Sequence, residues 1–574
     1  MKVSNLSNST TLLKKIYIAG FGLLGFVLFF YQIINGQYYL ERAKNNYVRL
    51  LPSRAIRGSI FDRNNEILAY DRAAFNISVI PYQIKNKKVQ LFNDLSSVLG
   101  YEPAILYKNY NKNLRSLFSP VNIIEDIDKM TALKVKEKFE DSVFINPEPK
   151  RFYYQPWESA HVLGYIKEAT ANYEVLKKYG YSPLERAGFL GIEQYYDAYL
   201  QGQDGAISVE VDAKGKIVGF LGNRIPVKGK DIYLTIDSRI QKIASQSMEK
   251  KRGAIILMDS NSGEILALYS QPSFNSNYFV EGKNINKFLT NKASPLLNRA
   301  IQATYPMGST FKPILAAAAL EEGKLTPEKE YTCSGEFRLG IATFKCMHAH
   351  GKQNLHEAIP HSCNIYFYNV GLALGPRLMS KWAKRFGLDS LTGIDLPYER
   401  KGLVPSPKWK QKKLKTNWFA GDTLNFSIGQ GFINSTPLEV MVAINVFASD
   451  GYLVNPHILK RVEGQQGSTP ASKTYLGLKD TDLNIIKKTL RDTVKQQSGT
   501  AHLLDKLELN ISGKTGTAQT KGRPHGWFVG FFPYENKKYT LCVLLENGGS
   551  SYAALKVGYK FLNEMKEEGV LKND

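Results

Sequence analysis

The sequence predicts an α+β protein with one apolar helix near its start, a mixed and mostly β segment after it, and a larger domain in which helices flank an antiparallel sheet. Three observations predict this class. An uncharged apolar run occupies residues 16–34, and apolar and polar residues alternate in the segment that follows it. After residue 252, patterns typical of strands stand at both ends of a region whose middle has helical patterns. Strands at both ends of a region with helices between them indicate one antiparallel sheet.

The first element is the apolar run Ile16–Ile34, which carries no formal charge and is long enough to cross a bilayer. It is longer than the core of a usual signal peptide, and no cleavage site of small residues follows it. We therefore expect an uncleaved membrane anchor after a short tail of residues 1–15, with a buried core helix as the alternative. Lysines precede the run, and Arg42 and Lys44 follow it, so charge leaves the orientation of the anchor open.

The segment after the anchor begins with a predicted hairpin. Residues Arg54–Pro81 alternate apolar and polar side chains around an Asn-Asn turn, which is typical of two paired strands. Further along, Gly191–Gly202 has the pattern of an amphipathic helix that ends on glycine. The composition changes near Val227–Lys230, and the main domain boundary is expected there, between residues 35–230 and 231–574.

The larger domain begins with Asp231–Lys251, which has the pattern of a strand that runs into a helix. Residues Gly253–Ser270 predict a hairpin around a Ser-Asn-Ser-Gly turn. Two more strands are predicted at 526–533 and 539–548, and a closing helix at Ser551–Glu568.

The chain carries a formal net charge of +23. A charge of this size suits an anionic partner such as a membrane or an acidic polymer. No helix-turn-helix, zinc-knuckle or arginine-rich motif is found, so nucleic acid is not the expected partner. The basic stretch Lys408–Lys415 is interpreted as a solvated loop, with a binding patch as the alternative.

The motif Ser309-Thr310-Phe311-Lys312 contains a candidate nucleophile. It stands directly before Pro313–Leu320, an apolar run with the composition of a helix buried on every side. At helical spacing the amine of Lys312 can reach the hydroxyl of Ser309. Burial lowers the pKa of a lysine, so the amine can accept the serine proton. The start of a helix also favours the negative charge that develops on a substrate.

Two further motifs with related chemistry follow in the chain. Ser362-Cys363-Asn364 is an S-x-N motif, and Lys514-Thr515-Gly516 is a K-T-G motif. Serine β-lactamases and penicillin-binding proteins contain S-x-x-K, S-x-N and K-T-G motifs in this order. Each short motif arises often by chance, whereas the ordered set indicates a serine acyl-transferase.

Longer segments resemble one family. "RGSIFDRNNEILA" and "AHVLGYI" resemble landmarks of the non-catalytic domain of class B penicillin-binding proteins, and "LNRAIQATYPMGSTFKP" resembles the start of their transpeptidase domain. "GDTLNFSIGQGFINSTPLE" is similar to the elongation-type group, penicillin-binding protein 2, rather than the septal one. The resemblance covers nearly the whole chain.

The resemblance implies a peptidoglycan D,D-transpeptidase that cross-links stem peptides during elongation and that β-lactams acylate. Ser309 would attack the D-Ala–D-Ala carbonyl, and Lys312 would accept its proton. Ser362 and Asn364 would relay protons and hold the substrate amide, while Lys514 would supply positive charge. The family requires no cofactor for the reaction itself.

The resemblance also implies how the substrate is held. The hydroxyls of Thr515 and Thr517 would bind the substrate carboxylate, and Gly516 would allow close approach to the strand edge. The backbone N–H groups of Ser309 and Thr517 would form the oxyanion hole.

A location and partners follow from the same resemblance. Residues 35–230 would form a pedestal domain of the dimerisation type and residues 231–574 the transpeptidase domain, both on the periplasmic side of the inner membrane. A glycosyltransferase of the SEDS family, within an elongation complex, would supply the glycan strands. The alternatives are a septal transpeptidase, a D,D-carboxypeptidase or β-lactamase that passes the acyl group to water, a β-lactam sensor and a non-enzymatic scaffold.

Three of the four cysteines are candidate metal ligands. Cys333, Cys346 and Cys363 lie near one another in the sequence, beside His348 and His350. Thiolate and imidazole are the ligands that structural tetrahedral zinc prefers. A Cys333–Cys346 disulfide, which suits an oxidising compartment, and buried free thiols are the alternatives. Some elongation-type relatives resemble this chain in having a zinc site there, and that resemblance favours His350 over His348.

Overall fold

The computed structural model describes residues 3–114, 117, 120–139, 142–168, 186–212, 217–465 and 472–571. It describes their side chains except those of residues 3–9, 43–46, 49, 51 and 52.

The helices in this part of the chain are α1 Val3–Phe29, α2 Gly36–Tyr47, α3 Lys88–Leu99, α4 Pro103–Asn113, α5 Lys129–Phe139, α6 Ala160–Leu163, α7 Gly191–Tyr195, α8 Asp197–Leu200, α9 Ser238–Met248, α10 Ser276–Glu281, α11 Ile285–Leu289, α12 Lys312–Glu321, α13 Leu355–Ala358, α14 Asn364–Leu374, α15 Pro376–Arg385, α16 Pro407–Leu414, α17 Ala420–Ser427, α18 Pro437–Ala448, α19 Asp480–Lys495 and α20 Ser551–Glu567. A π-helical turn covers Phe30–Ile34, and 3₁₀ turns cover Gly308–Phe311 and His502–Leu507.

The strands are β1 Val48–Ser53, β2 Ile60–Phe61, β3 Ile67–Val79, β4 Val121–Ile127, β5 Phe144–Tyr153, β6 Tyr165–Glu168, β7 Arg186–Phe189, β8 Gly205–Val211, β9 Ile217–Arg224, β10 Ile232–Leu234, β11 Gly253–Asp259, β12 Ile265–Gln271, β13 Tyr331–Cys333, β14 Glu336–Leu339, β15 Ala342–Lys345, β16 Gly351–Gln353, β17 Tyr452–Val454, β18 Leu459–Val462, β19 Lys473–Tyr475, β20 Ser512–Ala518, β21 His525–Tyr534 and β22 Lys537–Leu545.

The chain divides into two compact units that are not consecutive in the sequence. The smaller unit contains residues 1–56, 72–150 and 202–228, and the larger one residues 57–71, 151–201 and 229–574. This division differs from a single boundary near residue 230. Residues 57–71 and 151–201 precede that boundary but pack with the larger unit.

The smaller unit begins with an apolar span, Thr10–Ile34, of 25 residues with a mean hydropathy of 1.9. By length and composition this helix can cross a membrane, and the predicted anchor Ile16–Ile34 lies within it. No part of the span is buried inside the protein, whereas a core helix would be.

The rest of the smaller unit contains an antiparallel sheet in the order β1-β8-β9 and a separate core. In that core, β3 pairs with β4 through Val79 and Val121, and helices α3, α4 and α5 cover the strands. Buried Leu91, Phe92 and Leu95 occupy one face of α3 at the spacing expected of an amphipathic helix.

The larger unit is built on a five-stranded antiparallel sheet in the order β12-β11-β22-β21-β20. Because side chains alternate between the two faces of a strand, successive residues enter different cores. Ile255 joins the core that contains Ile243 of α9 and Phe561 of α20, while Ile256 joins the core that contains Ile314 of α12. The predicted antiparallel sheet with flanking helices is confirmed.

One predicted helix is divided in the structure. Gly191–Gly202 was expected to form a single helix, but α7 and α8 are separated at Tyr196, which has φ −107° and ψ 23°. The Tyr196 hydroxyl donates to Asp395 at 2.8 Å. A contact with a segment so distant in sequence is not encoded in the local periodicity that predicted one helix.

Candidate active site

The candidate nucleophile lies where a tight turn meets the buried helix α12. Pro313 stands in the first turn of α12, where its missing N–H leaves no carbonyl unpaired. In the preceding 3₁₀ turn, Gly308 has a φ of 57°, and a Cβ there would lie 2.8 Å from the carbonyl oxygen of Thr517. Glycine therefore allows the turn to approach strand β20, and Ser309 follows it in a partly exposed position.

The amine of Lys312 is buried among oxygen acceptors. It donates to the carbonyl oxygen of Ser362 at 2.7 Å, to the hydroxyl of Ser362 at 3.2 Å and to Oδ1 of Asn364 at 2.7 Å. Within the described ranges no carboxylate forms an ion pair with this amine. Burial lowers the pKa of Lys312 to about 8, because the charged form loses its hydration. A larger fraction of this amine than of an ordinary lysine amine is therefore neutral near pH 8, where it can accept a proton.

The expected contact between Ser309 and Lys312 is not formed in this state. Among the residues that the structure describes, none is hydrogen bonded to the Ser309 hydroxyl, and the Lys312 amine is hydrogen bonded to the S-x-N motif instead. Ser362 and Asn364 together offer this amine more acceptors than one hydroxyl would. Catalytic hydrogen bonds often tighten only when the substrate is present.

The S-x-N motif is supported by the start of α14 and by strand β15. Ser362 has a φ of 55°, and Cys363 caps α14 by accepting from a backbone N–H of its first turn at 3.5 Å. The amide nitrogen of Asn364 donates to the carbonyl oxygen of Lys345 at 3.1 Å. That bond orients the amide so that its oxygen can accept from Lys312.

The K-T-G motif lies on β20, at one edge of the five-stranded sheet. The Lys514 amine is buried and donates to the carbonyl oxygen of Thr515 at 3.0 Å. Burial and, to a smaller extent, repulsion by Lys312 hold the pKa of Lys514 well below its usual value. A Cβ at Gly516 would lie 2.9 Å from Cγ2 of Thr310, so this glycine lets the strand pack against the nucleophile turn.

The structure adds two side chains that the sequence did not indicate. The hydroxyl of Thr515 donates to the hydroxyl of Thr500 at 2.8 Å, and Nε2 of Gln430 donates to the carbonyl oxygen of Thr517 at 3.4 Å. Gln430 lies inside the segment that resembles the elongation-type group, which is the signal that could have identified it. Thr500 lies in no motif.

The four candidate metal ligands also lie together. One ligand atom from each of Cys333, Cys346, His350 and Cys363 lies within 4.8 Å of the others. The sulfurs of Cys333 and Cys346 are 3.4 and 3.5 Å from Nδ1 of His350. These cysteines are free, so the alternative disulfide is not formed. His348 accepts a hydrogen bond from Cys333 at 3.4 Å through its backbone carbonyl.

The chemistry of this cluster fits a metal ion. A hydrogen bond from Cys363 lowers the pKa of Cys346 to about 4, and the same bond raises the pKa of Cys363. Three sulfurs and one imidazole nitrogen within 4.8 Å of one another can surround one ion at bond lengths of about 2.0–2.3 Å. Because Cys363 stands between Ser362 and Asn364, the cluster supports the S-x-N motif directly.

Comparison with known proteins finds relatives that are similar over most of the chain. Residues 253–566 match the family described as the penicillin binding protein transpeptidase domain, and residues 52–234 match the penicillin-binding protein dimerisation domain. The peptidoglycan D,D-transpeptidase MrdA of Acinetobacter baumannii is 34% identical over an alignment that covers 91% of this chain and 82% of that protein. For MrdA of Escherichia coli K12 the identity is 31%, with 91% and 88% covered.

Solved structures are similar over the same range. The complex between penicillin-binding protein PBP2 and MreC from Helicobacter pylori has a TM-score of 0.80 and 30% sequence identity. The similarity covers 91% of this chain and 100% of that chain.

Proposed function

The chain belongs to the penicillin-binding protein transpeptidase family, and we propose that it cross-links peptidoglycan stem peptides as a D,D-transpeptidase of cell elongation. One observation carries this proposal. The Lys312 amine is buried without a carboxylate partner one turn from Ser309, and burial lowers its pKa to about 8. An amine of this kind can act as the base that activates a serine.

In the acylation step, Oγ of Ser309 attacks the carbonyl carbon of the penultimate D-Ala, and its proton passes to Nζ of Lys312. The oxyanion is stabilised by the backbone N–H groups of Ser309 and Thr517. When the peptide bond breaks, the amine of the terminal D-Ala takes up a proton and leaves. The hydroxyl of Ser362, which accepts from Lys312 at 3.2 Å, is the group that relays this proton.

In the transfer step, the amine of a second stem peptide attacks the acyl-enzyme. Its nitrogen bonds to the carbonyl carbon, the ester bond to Ser309 breaks, and the serine oxygen recovers a proton through Lys312. Asn364 holds the substrate amide during both steps. A D,D-carboxypeptidase would use water in place of the amine.

The terminal carboxylate of the donor peptide is bound by the K-T-G strand. Lys514 supplies positive charge once a carboxylate lies near it, because an opposite charge raises the pKa that burial lowers. The hydroxyl of Thr517 donates a hydrogen bond, and that of Thr515 donates another when Thr500 donates to Thr515. The position of β20 at one end of the sheet supports this assignment, because the backbone groups on the outer side of an edge strand can pair with an extended peptide.

We further propose that Cys333, Cys346, His350 and Cys363 hold one structural zinc ion. The ion would supply a rigid cross-link between the β13–β16 region and the start of α14, and it takes no part in acyl transfer. The free thiols and their short separations from one imidazole nitrogen support this assignment.

The domain limits and location follow from family membership. We propose residues 35–230 as the pedestal domain and 231–574 as the transpeptidase domain, which the family matches at 52–234 and 253–566 support. The span at Thr10–Ile34 would anchor both domains to the periplasmic face of the inner membrane. Partners would be a SEDS-family glycosyltransferase and an MreC-like protein, since a solved PBP2 relative is complexed with MreC.

Mass spectrometry of the full chain in detergent tests the site. After incubation with penicillin, we expect one covalent adduct on the peptide that contains Ser309, and no adduct on Ser309→Ala. Native spectra of the untreated sample are expected to show one bound zinc. An adduct on another residue would refute the assignment of the nucleophile.

The fate of the acyl group tests the reaction type. With a labelled stem peptide as donor and a free amine as acceptor, we expect the label in an amide product. Release of free acid alone, at every acceptor concentration, would identify a carboxypeptidase instead.

A further inference from the structure

Four lysines on and directly after α16 form a surface that we call the lysine patch. Its members are Lys408, Lys412, Lys413 and Lys415, and all are exposed. Within the described part of the chain, none of the four has an ion-pair partner, while Lys410 between them is buried and paired with Asp422 at 2.5 Å. Asp422 is the single acidic residue between positions 403 and 436, so the surface is strongly positive.

The first half of the patch is linked indirectly to the nucleophile turn through a pair of aromatic rings and the segment that contains one of them. Trp409 lies beside Lys408, and its ring centroid is 5.4 Å from that of Phe432. Three residues before Phe432, the carbonyl oxygen of Gly429 accepts from the N–H of Gly308 at 2.8 Å. Gly308 directly precedes the nucleophile.

The second half of the patch is linked to the same turn by a different set of aromatic contacts. Trp418 follows Lys415 closely, and its ring lies 6.4 Å from that of Phe426. Phe426 in turn stacks on Phe311 at 5.2 Å, and Phe311 is two residues after Ser309. Tryptophans beside the two ends of the lysine patch therefore contact segments that in turn contact the nucleophile turn.

We propose that the lysine patch binds the side-chain and main-chain carboxylates of the acidic stem peptides on the glycan strand that is being cross-linked. This inference rests on the proposed function. The K-T-G strand accounts for one terminal carboxylate, so other carboxylates of the strand require other cations. Lysines suit this task because flexible ammonium groups attract carboxylates without demanding one geometry.

Exposed apolar surface beside the patch fits the same partner. Phe419 is 63% exposed, and Lys410 lies 4.8 Å from the centroid of its ring. A peptide offers both carboxylates for the lysines and apolar side chains for the exposed ring. The rings that link the patch to the nucleophile turn also favour the substrate of that turn as the occupant.

The test compares two variants of the full chain in detergent. The patch variant changes Lys408, Lys412, Lys413 and Lys415 to Gln. The control variant changes Lys242, Lys250, Lys324 and Lys488 to Gln, which are exposed lysines without an ion pair in the described part of the larger unit. The probe is uncross-linked glycan strands with pentapeptide stems, and a second sample has its carboxylates amidated.

We expect the patch variant to bind the strands about tenfold more weakly, a loss that corresponds to four weak exposed pairs. The loss should shrink at high salt, because salt screens exposed charges, and should vanish with amidated strands. The control variant and a variant with Arg at the four patch positions should bind as the wild type does. The rate of acylation by penicillin should be the same in all of them.

Three results would overturn the proposal. They are equal strand binding by the patch variant, an equal loss in the control variant, and competition by glycerophosphoglycerol as strong as that by the strands, which would identify a headgroup site. Failure of the proposed function is distinguishable from these results, because the wild type would then lack a penicillin adduct on Ser309 or would release only free acid from a labelled donor peptide.

Discussion

In the described part of the larger unit, two groups of charged side chains with buried members differ in whether their charges are paired. In the first group, Glu193 accepts hydrogen bonds from Nε of Arg57 and Nε of Arg151, each at 2.6 Å. Asp197 and Asp71 pair with the same two guanidinium groups. We call these five residues the ionic cluster.

In the second group, Lys312 and Lys514 are equally buried, but no carboxylate within the described residues pairs with either amine. Neutral oxygens accept their hydrogen bonds instead. The two amines also repel each other, which adds to the effect of burial on Lys514.

The same burial has opposite effects on the two groups. Burial alone would raise the pKa of Glu193, but the two guanidinium groups outweigh it and lower that pKa, so the carboxylate stays charged. Burial lowers the pKa of Lys312 to about 8, so its amine can become neutral. The paired charges of the ionic cluster thus hold segments together, whereas the unpaired Lys312 has the lowered pKa that the proposed base requires.

The largest expected effect comes from removing the unpaired base. Lys312→Gln should lower the rate of acylation by penicillin about 10²–10⁴-fold, the range for loss of a general base. The midpoint of thermal unfolding should not fall, because the variant removes a buried amine that no carboxylate stabilises. Stopped-flow acylation and thermal unfolding of the same samples measure both quantities.

A paired buried lysine provides the control for that variant. Lys410→Gln leaves Asp422 without its partner at 2.5 Å, so unfolding should occur at a lower temperature while acylation of the folded protein continues. If both lysine variants behave alike in both measurements, the distinction between paired and unpaired charges is wrong.

The second effect comes from breaking the ionic cluster. Glu193→Gln leaves two buried guanidinium groups without their shared carboxylate and should cost about 3–5 kcal/mol of unfolding free energy. Denaturant unfolding at low temperature measures the loss. Penicillin acylation by the fraction that remains folded should proceed at the wild-type rate.

A more exposed pair in the same unit is the matched control. Glu264→Gln removes the ion pair with Arg63 at 3.4 Å, where both side chains are partly solvated. The expected loss is below about 1 kcal/mol. Equal losses from both glutamates would show that burial does not set the strength of the cluster.

The smallest effect is a pH dependence of acylation. The neutral amine of Lys312 is the reactive form, so the acylation rate should fall about tenfold per pH unit below a pKa of about 8 and level off above it. Pre-steady-state measurement of the acylation rate between pH 5.5 and 9.5 shows whether the rate falls in this way. A flat profile would exclude Lys312 as the titrating base.

Much of the fold follows from local patterns. The apolar span, the hairpin at β11 and β12, the strands β21 and β22 and the helix α20 were predicted because hydrophobic periodicity belongs to each segment by itself. The three catalytic motifs were identified for a related reason. Each motif is identified by the types of its residues and their spacing, which can be read from the sequence without the fold.

The tertiary structure decided what these patterns could not contain. Glu193 was assigned to a single helix, yet it bonds Arg57 across 136 residues, and the helix divides at Tyr196. The Lys312 amine was expected at Ser309, yet it bonds residues 50 and 52 positions away.

The sequence by itself determined the family, the apolar span and the set of candidate reactive residues, since these depend on composition and order. The structure alone decided that the amines of Lys312 and Lys514 lie without a carboxylate partner among the described residues, and that Thr500 and Gln430 bond the K-T-G strand. Partners of buried polar groups come from segments far apart in the chain. Packing brings these residues together, and their separation in the sequence follows neither helical nor strand periodicity.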